Sequence, residues 1–169
     1  PIGYDLVGIS TYSAQIFEAY ELAQQYCEKG IPVVMGGPHV SVLPDEALRH
    51  CDSVVVGEGE LHWNSVLGDL NKGSLKPVYG SLMEEFDLNN APMPAFDILD
   101  MDRYNNGAII TARGCPYNCT FCDVAPLWGR KTHMRSVEGI IEEMQVLEGL
   151  GKGLIDIHDD TFVLKKSRV

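Results

Sequence analysis

Three cysteines, Cys115, Cys119 and Cys122, fall within the run Thr111-Ala112-Arg113-Gly114-Cys115-Pro116-Tyr117-Asn118-Cys119-Thr120-Phe121-Cys122, at Cys-x3-Cys-x2-Cys spacing. The apolar run Ala108-Ile109-Ile110 precedes them directly, so an extended strand empties into a short thiol-rich loop. Soft thiolates suit an iron–sulfur cluster or zinc far better than a hard cation. Both centres usually take four ligands, and this loop offers three. A coordination position left open is what a metal centre needs if a substrate or cofactor is to bind it. The same residues also allow a zinc loop completed by His133, although zinc sites more often arise from paired Cys-x2-Cys units and no second pair is present.

The loop resembles that of the radical S-adenosylmethionine enzymes, with Cys115, Cys119 and Cys122 in the ligand positions and aromatic Phe121 just before the third cysteine. The resemblance implies a [4Fe–4S] cluster on the three thiolates, with S-adenosylmethionine on the open iron. It further implies one-electron cleavage of that cofactor to a 5′-deoxyadenosyl radical, the electron coming from a donor such as a flavodoxin or ferredoxin. Phe121 is then expected to cover the cluster, with its backbone near the adenine; the plain alternative for its ring is core packing.

The composition bounds what else the chain could be. Of 169 residues, 45% are hydrophobic and 17 are glycine, enough for a buried core with many tight turns. Thirteen basic residues against 24 acidic ones give a net charge of −11, which argues against nucleic acid or an anionic membrane as partner. No apolar run approaches the roughly 20 residues that span a bilayer. No signal peptide is visible, and five cysteines with three of them clustered do not form a disulfide framework, so a cytoplasmic, reducing setting is expected. The chain opens on Pro1 and closes on Val169. The expectation is a fragment truncated at both ends and inactive alone.

Residues 1–72 alternate strand and helix. Tyr4–Ser10 reads as a strand buried on both faces, Ser13–Lys29 as a helix stopped by Gly30, and Ile31–Met35 as a second strand running into Gly36-Gly37-Pro38. A short helix from about Pro44 to His50, a strand Ser53–Val56 and a helix Glu60–Asn71, with Trp63, Val66, Leu67 and Leu70 on one face, complete the pattern. Such alternation makes an α/β, doubly wound parallel sheet, whose ligands sit beyond the carboxyl ends of the strands. Those ends are Ser10, Gly36-Gly37 and Gly57-Glu58-Gly59.

Ser10-x-Tyr12 followed by Gly36-Gly37 resembles the later part of the cobalamin-binding fingerprint. Gly36-Gly37-Pro38-His39-Val40, Pro44-Asp45-Glu46-Ala47-Leu48 and Val56-Gly57-Glu58-Gly59-Glu60 resemble the N-terminal domain of B12-binding radical S-adenosylmethionine proteins. The resemblance implies cobalamin contacts at Ser10, Tyr12, Gly36, Gly37, His39, Gly57 and Glu58, with His39 near the cofactor tail rather than on cobalt. The Asp-x-His-x-x-Gly element that opens the full fingerprint is not in this sequence, and the sheet is expected to be incomplete.

Residues 73–106, rich in Gly, Pro, Asn and Asp, read as an interdomain linker with a short strand at Val78-Tyr79, helical turns at Phe96–Leu99 and Met101–Tyr104, and Met93, Phe96 and Tyr104 as packing residues. In residues 107–169 the cluster strand Ala108–Thr111, a loop Asp123–His133, a helix capped by Ser136 and ending near Gly149–Gly151, and a strand Leu154–His158 form one β-α-β unit. The resemblance makes this the first unit of a radical S-adenosylmethionine partial (β/α)6 barrel. Asp160, and less so Asp159, would then meet the amino group of S-adenosylmethionine, the alternative being a helix N-cap. Cys27 and Cys51 read as small core residues.

The function implied is a cobalamin-dependent radical enzyme, a transferase or oxidoreductase, that methylates or rearranges a small-molecule substrate. Two alternatives remain open at this point: a radical enzyme whose first domain binds no cobalamin, and a zinc-stapled binding module without catalysis.

Overall fold

The computed structural model describes residues 3–164, and these cluster into two compact units, one up to Glu85 and the other from Phe86 onward. In the first, four parallel strands, β1 (Val7–Ser10), β2 (Val33–Gly36), β3 (Ser53–Val56) and β4 (Val78–Gly80), lie in the order β1-β2-β3-β4. Ser10 pairs with Gly36 and Val56 with Gly80, so the strands finish near one level.

The continuous apolar runs of β2 and β3 follow from cover on both faces. Val33, Met35, Val54 and Val56 pack on one side with Ile16, Tyr20 and Ala23 of α1 (Ile16–Cys27), Val40 of α2 (Pro38–Val42) and Ala47 of α3 (Pro44–Ala47). Val34 and Val55 pack on the other with Tyr79 and with Val66 of α4 (Gly59–Asn71). Each fully buried valine removes apolar surface worth about 1.5–3 kcal/mol.

Several expectations are corrected here. The first strand is only Val7–Ser10, and it is an edge strand with Gly8 and Ser10 exposed rather than one buried on both faces. A one-sided edge position shields alternate residues only. The helix expected from Ser13 is a 3-10 turn until Ile16, and α2, which replaces an expected loop, starts with Pro38 at its first turn, where a missing N–H costs nothing. The helix expected over Pro44–His50 is α-helical only to Ala47. Of the apolar face expected on α4, only Val66 is fully buried; Trp63 and Leu67 are 39% and 38% exposed.

The second unit holds a parallel pair, β5 (Gly107–Ile109) with β8 (Ile155–Ile157), joined through α6 (Val137–Gly149). The β-α-β reading holds, and Ser136 caps α6 by accepting the Gly139 N–H at 3.2 Å. The expected cluster strand ends at Ile109. A separate antiparallel ribbon, β6 (Ala112–Arg113) with β7 (His133–Met134), and a helix α5 (Val124–Trp128) fill stretches expected to be strand end and loop. The segment 86–106 is tied into this unit: Asn89 Oδ1 accepts the Ser136 N–H at 2.7 Å, and Lys152 Nζ donates to the carbonyls of Met101 and Tyr104 at 2.7 and 2.6 Å. Met93 and Tyr104 are substantially exposed, so they are not the packing residues expected. Among the described residues no helix is long and apolar enough to cross a membrane.

Gly80 has φ +77°, and a Cβ there would lie 2.4 Å from the Val56 carbonyl oxygen and 2.7 Å from the His62 ring. Gly80→Ala is expected to lower stability by about 1–3 kcal/mol through backbone strain alone, with the clash added. Urea unfolding checks it, and an unchanged midpoint would contradict the placement.

Candidate functional site

In the first unit the strand ends form a row poor in side chains. Gly37 has φ +96°, and a Cβ there would meet Thr11 O at 2.7 Å, Thr11 N at 2.8 Å and Ser10 Oγ at 3.0 Å. The glycine therefore lets the turn after β2 lie against the end of β1, with Thr11 N–H donating to Gly36 O at 3.1 Å. Gly57 has φ +78° and its missing Cβ would meet Ser81 O at 2.4 Å; its N–H donates to the buried Ser41 hydroxyl at 3.0 Å. Gly37 and Gly57 are thus required by the chain's own backbone. Ser10 and Tyr12 are exposed at the row, whereas Glu58 is 5% exposed and sits at the start of α4.

His39 is engaged at both ring nitrogens, Nδ1 lying 2.9 Å from Ser13 Oγ and Nε2 3.4 Å from Glu46 Oε1. A carboxylate only accepts, so Nε2 carries the proton and Nδ1 accepts from Ser13. The one ring lone pair, on Nδ1, is then taken up by Ser13 rather than left for a metal. The Tyr20 hydroxyl donates to the same Glu46 oxygen at 3.1 Å, and these two donors, Tyr20 first, hold the Glu46 carboxyl below its usual range. Burial and Glu46 together push Tyr20 up to about 12. The node ties the loop after β1 and α1 to α2 and α3, directly behind Gly36-Gly37. A second group missed by sequence reading stands beside Gly80: His62 Nε2 is 2.6 Å from Glu84 Oε2, and the Ser81 hydroxyl donates to Glu84 Oε1 at 2.7 Å. A lone histidine or serine carries no periodic signal that could have found either group.

In the second unit the cysteine loop is anchored from β8. Asp159 accepts the backbone N–H of Thr111 at 2.6 Å and of Ala112 at 2.9 Å, together with the Thr111 hydroxyl, while Asp160 Oδ2 accepts the Gly114 N–H at 2.8 Å. Neither carboxylate caps a helix among the described residues; both hold the strand that enters the loop. The Thr161 hydroxyl reaches Cys115 Sγ at 3.1 Å. Arg135 donates to Ile110 O at 3.0 Å, to Gly139 O at 3.2 Å and to the buried Glu143 carboxylate. Arg130 reaches Pro116 O, and Arg113 stacks on Trp128. Phe121 is 91% exposed, so its ring is not core packing, and in this structure it covers nothing.

Cys115 and Cys122 are half-buried and Cys119 is exposed, with the Cys122 N–H turned back onto Cys119 O at 3.2 Å. Among the described residues, no three His, Cys, Asp or Glu side chains converge on one point. A four-iron cluster takes each thiolate on a different iron, and three soft donors on one loop suit it by their chemistry.

The two remaining thiols differ in kind. Cys27 and Cys51 pack against the core of the first unit; burial pushes the Cys51 thiol up to about 11 and raises Cys27, whose neighbour Asp52 adds to the effect. Both stay protonated at pH 8. Iodoacetamide at that pH is therefore expected to alkylate exposed Cys119 first and Cys51 last by mass spectrometry. Rapid labelling of Cys51 would contradict its burial.

Comparison with known proteins agrees with this geometry. The B12 binding domain family matches residues 2–66. An uncharacterised methyltransferase of Pyrococcus horikoshii is 35% identical over 97% of this chain and 41% of its own length. A bacteriochlorophyllide d C-8(2)-methyltransferase of Chlorobaculum tepidum is 34% identical over 76% of this chain and 30% of its own length. The chain thus spans less than half of the relatives it matches. Its fold is shared, with TM-score 0.75 and 18% identity over 97% of this chain and 39% of the other, with the radical S-adenosylmethionine methyltransferase TsrM from Kitasatospora setae, solved with cobalamin and a [4Fe-4S] cluster bound. Residues 2–66 thus match the B12 binding domain family, and over most of its length the chain is related to proteins named methyltransferases.

Proposed function

We propose that the intact protein is a cobalamin-dependent radical S-adenosylmethionine methyltransferase acting on a small-molecule substrate. The observation that carries this reading is three thiols on one anchored loop, downstream of a B12 binding domain, in a chain whose relatives are named methyltransferases. Those names favour methyl transfer over rearrangement. When bound, the cluster and S-adenosylmethionine supply radical chemistry and cobalamin supplies a methyl carrier.

The chain's own residues bind, orient and screen. Cys115, Cys119 and Cys122 hold the cluster and leave one position open. Asp159 and Asp160 fix the backbone entering the loop, and Asp160 would also pair with the cofactor's ammonium group, a carboxylate–ammonium pairing. Exposed Phe121 stands beside the third cysteine, where its ring would screen the loaded site from water. In the first unit the Ser10, Gly36-Gly37 and Gly57 row offers a flat rim for a broad ligand, with Ser10 as hydrogen-bond donor and Tyr12 beside it. His39 holds that rim from behind through Ser13 and Glu46, and buried Glu58 acts at the base of α4 rather than on the ligand. An electron donor such as a flavodoxin or ferredoxin would deliver the electron. Residues 107–164 would form the start of the partial (β/α)6 barrel.

Anaerobic reconstitution of the intact protein tests this. Iron and sulfide with a visible thiolate-to-iron absorbance, retained cobalamin and cobalamin-dependent methyl transfer are expected, together with 5′-deoxyadenosine release. Zinc in place of iron would overturn the reading. Full activity without cobalamin would overturn its corrin half.

A further inference from the structure

Thr161 follows β8, and its hydroxyl lies 3.1 Å from Cys115 Sγ and 2.8 Å from the carbonyl oxygen of Asp160. One hydroxyl has one proton to donate, so these two acceptors compete for it. A neutral thiol is a weak acceptor and leaves the proton to the carbonyl. A thiolate carries charge, and hydrogen bonds to charged acceptors are shorter and roughly twice as strong. The hydroxyl is also held in place. Asp159 and Asp160, immediately before Thr161, grip the backbone of Thr111, Ala112 and Gly114, immediately before Cys115, so the two segments move as one piece.

We infer that Thr161 is a positioning residue that sets the redox potential of the cluster by donating its hydroxyl to the Cys115 thiolate; this rests on the cluster reading above. Hydrogen bonds to the sulfurs are among the determinants of iron–sulfur potentials. Reduction adds negative charge that spreads onto the thiolates, so a donor at Cys115 binds the reduced form more strongly and raises the potential. The effect belongs to Thr161 and not to the neighbouring carboxylates, which only accept hydrogen bonds and have no proton to give the sulfur.

The test is a dithionite titration of the anaerobically reconstituted intact protein, followed by the electron paramagnetic resonance of the reduced cluster, for wild type, Thr161→Val and Thr161→Ser. Valine keeps the shape and removes the donor. The expected result is a lower midpoint in Thr161→Val, by up to one tenfold step in the reduced-to-oxidised ratio or about 59 mV for one electron, with Thr161→Ser at the wild-type value. An unmoved midpoint in Thr161→Val, beside a normal wild-type cluster, overturns the inference alone. Loss of the cluster in Thr161→Val but not in Thr161→Ser assigns Thr161 to holding the loop and overturns the redox role. A wild-type protein that assembles no cluster overturns the inference together with the reading beneath it.

Discussion

Cys119→Ala is expected to reduce both the iron and sulfide content of the reconstituted intact protein and its 5′-deoxyadenosine release to background. The loop offers three thiols and no spare: the two remaining cysteines belong to the first unit, one of them with its thiol held near 11. Loss of an outer partner of a metal ligand costs about 10–100-fold in affinity or activity, and loss of a ligand itself should exceed that. Cys119 is the informative choice because it is exposed, so its removal opens no cavity and folding is spared. Cys51→Ala is the control, expected to keep the cluster. Release that persists unchanged in Cys119→Ala would refute the assignment of the cysteines, whatever the activity of the control.

The second large effect is on stability. Arg135→Met should cost about 3–5 kcal/mol, because Glu143 is left as an unpaired charge in the interior. The pair is well enclosed, the side chains of Arg135 and Glu143 being 16% and 4% exposed. The same guanidinium also satisfies the carbonyls of Ile110 and Gly139, and the Arg135 N–H donates to Thr111 O at 3.0 Å. It therefore joins the start of α6 to the strand that enters the cysteine loop. Urea unfolding of the intact protein reads the loss. The double variant Arg135→Met with Glu143→Met should recover most of it, since a buried ion pair replaced on both sides by apolar groups of similar volume is often neutral. A single variant as stable as wild type, or a double variant no better than the single, would show that the pair is not what holds this corner.

Those two expectations differ in where they could be read. The thiol trio was legible as a candidate because it is local: three thiols fall within eight residues of chain on one loop, and softness and spacing suggest the class of centre. The first unit was legible for a related reason. β2 and β3 are apolar on consecutive residues because both faces are covered, and Gly30 and Ser136 end and start helices by chemistry that acts within a few residues. Local signals failed where burial depends on a neighbour. Val7–Ser10 looks like a central strand, yet it alternates in exposure because it lies at the edge of the described sheet. The two-residue strands β6 and β7 are too short to show any period and exist only as partners of each other.

From the chain alone came the candidate ligands, the parallel character of the first sheet and the glycines at its rim, because each is set by side-chain chemistry over a few neighbouring positions. Folding decided what surrounds them. The grip of Asp159 and Asp160 on Thr111 and Gly114, and the reach of Thr161 to Cys115, join residues 46–48 apart in sequence. Folding also decided the enclosure of Glu143 by Arg135, 8 residues apart, and the capture of His39 by Ser13 and Glu46, 26 and 7 residues away. Hydrogen bonds between distant single residues leave no repeating pattern along a chain, so they become visible only when the backbone has brought both partners to one place.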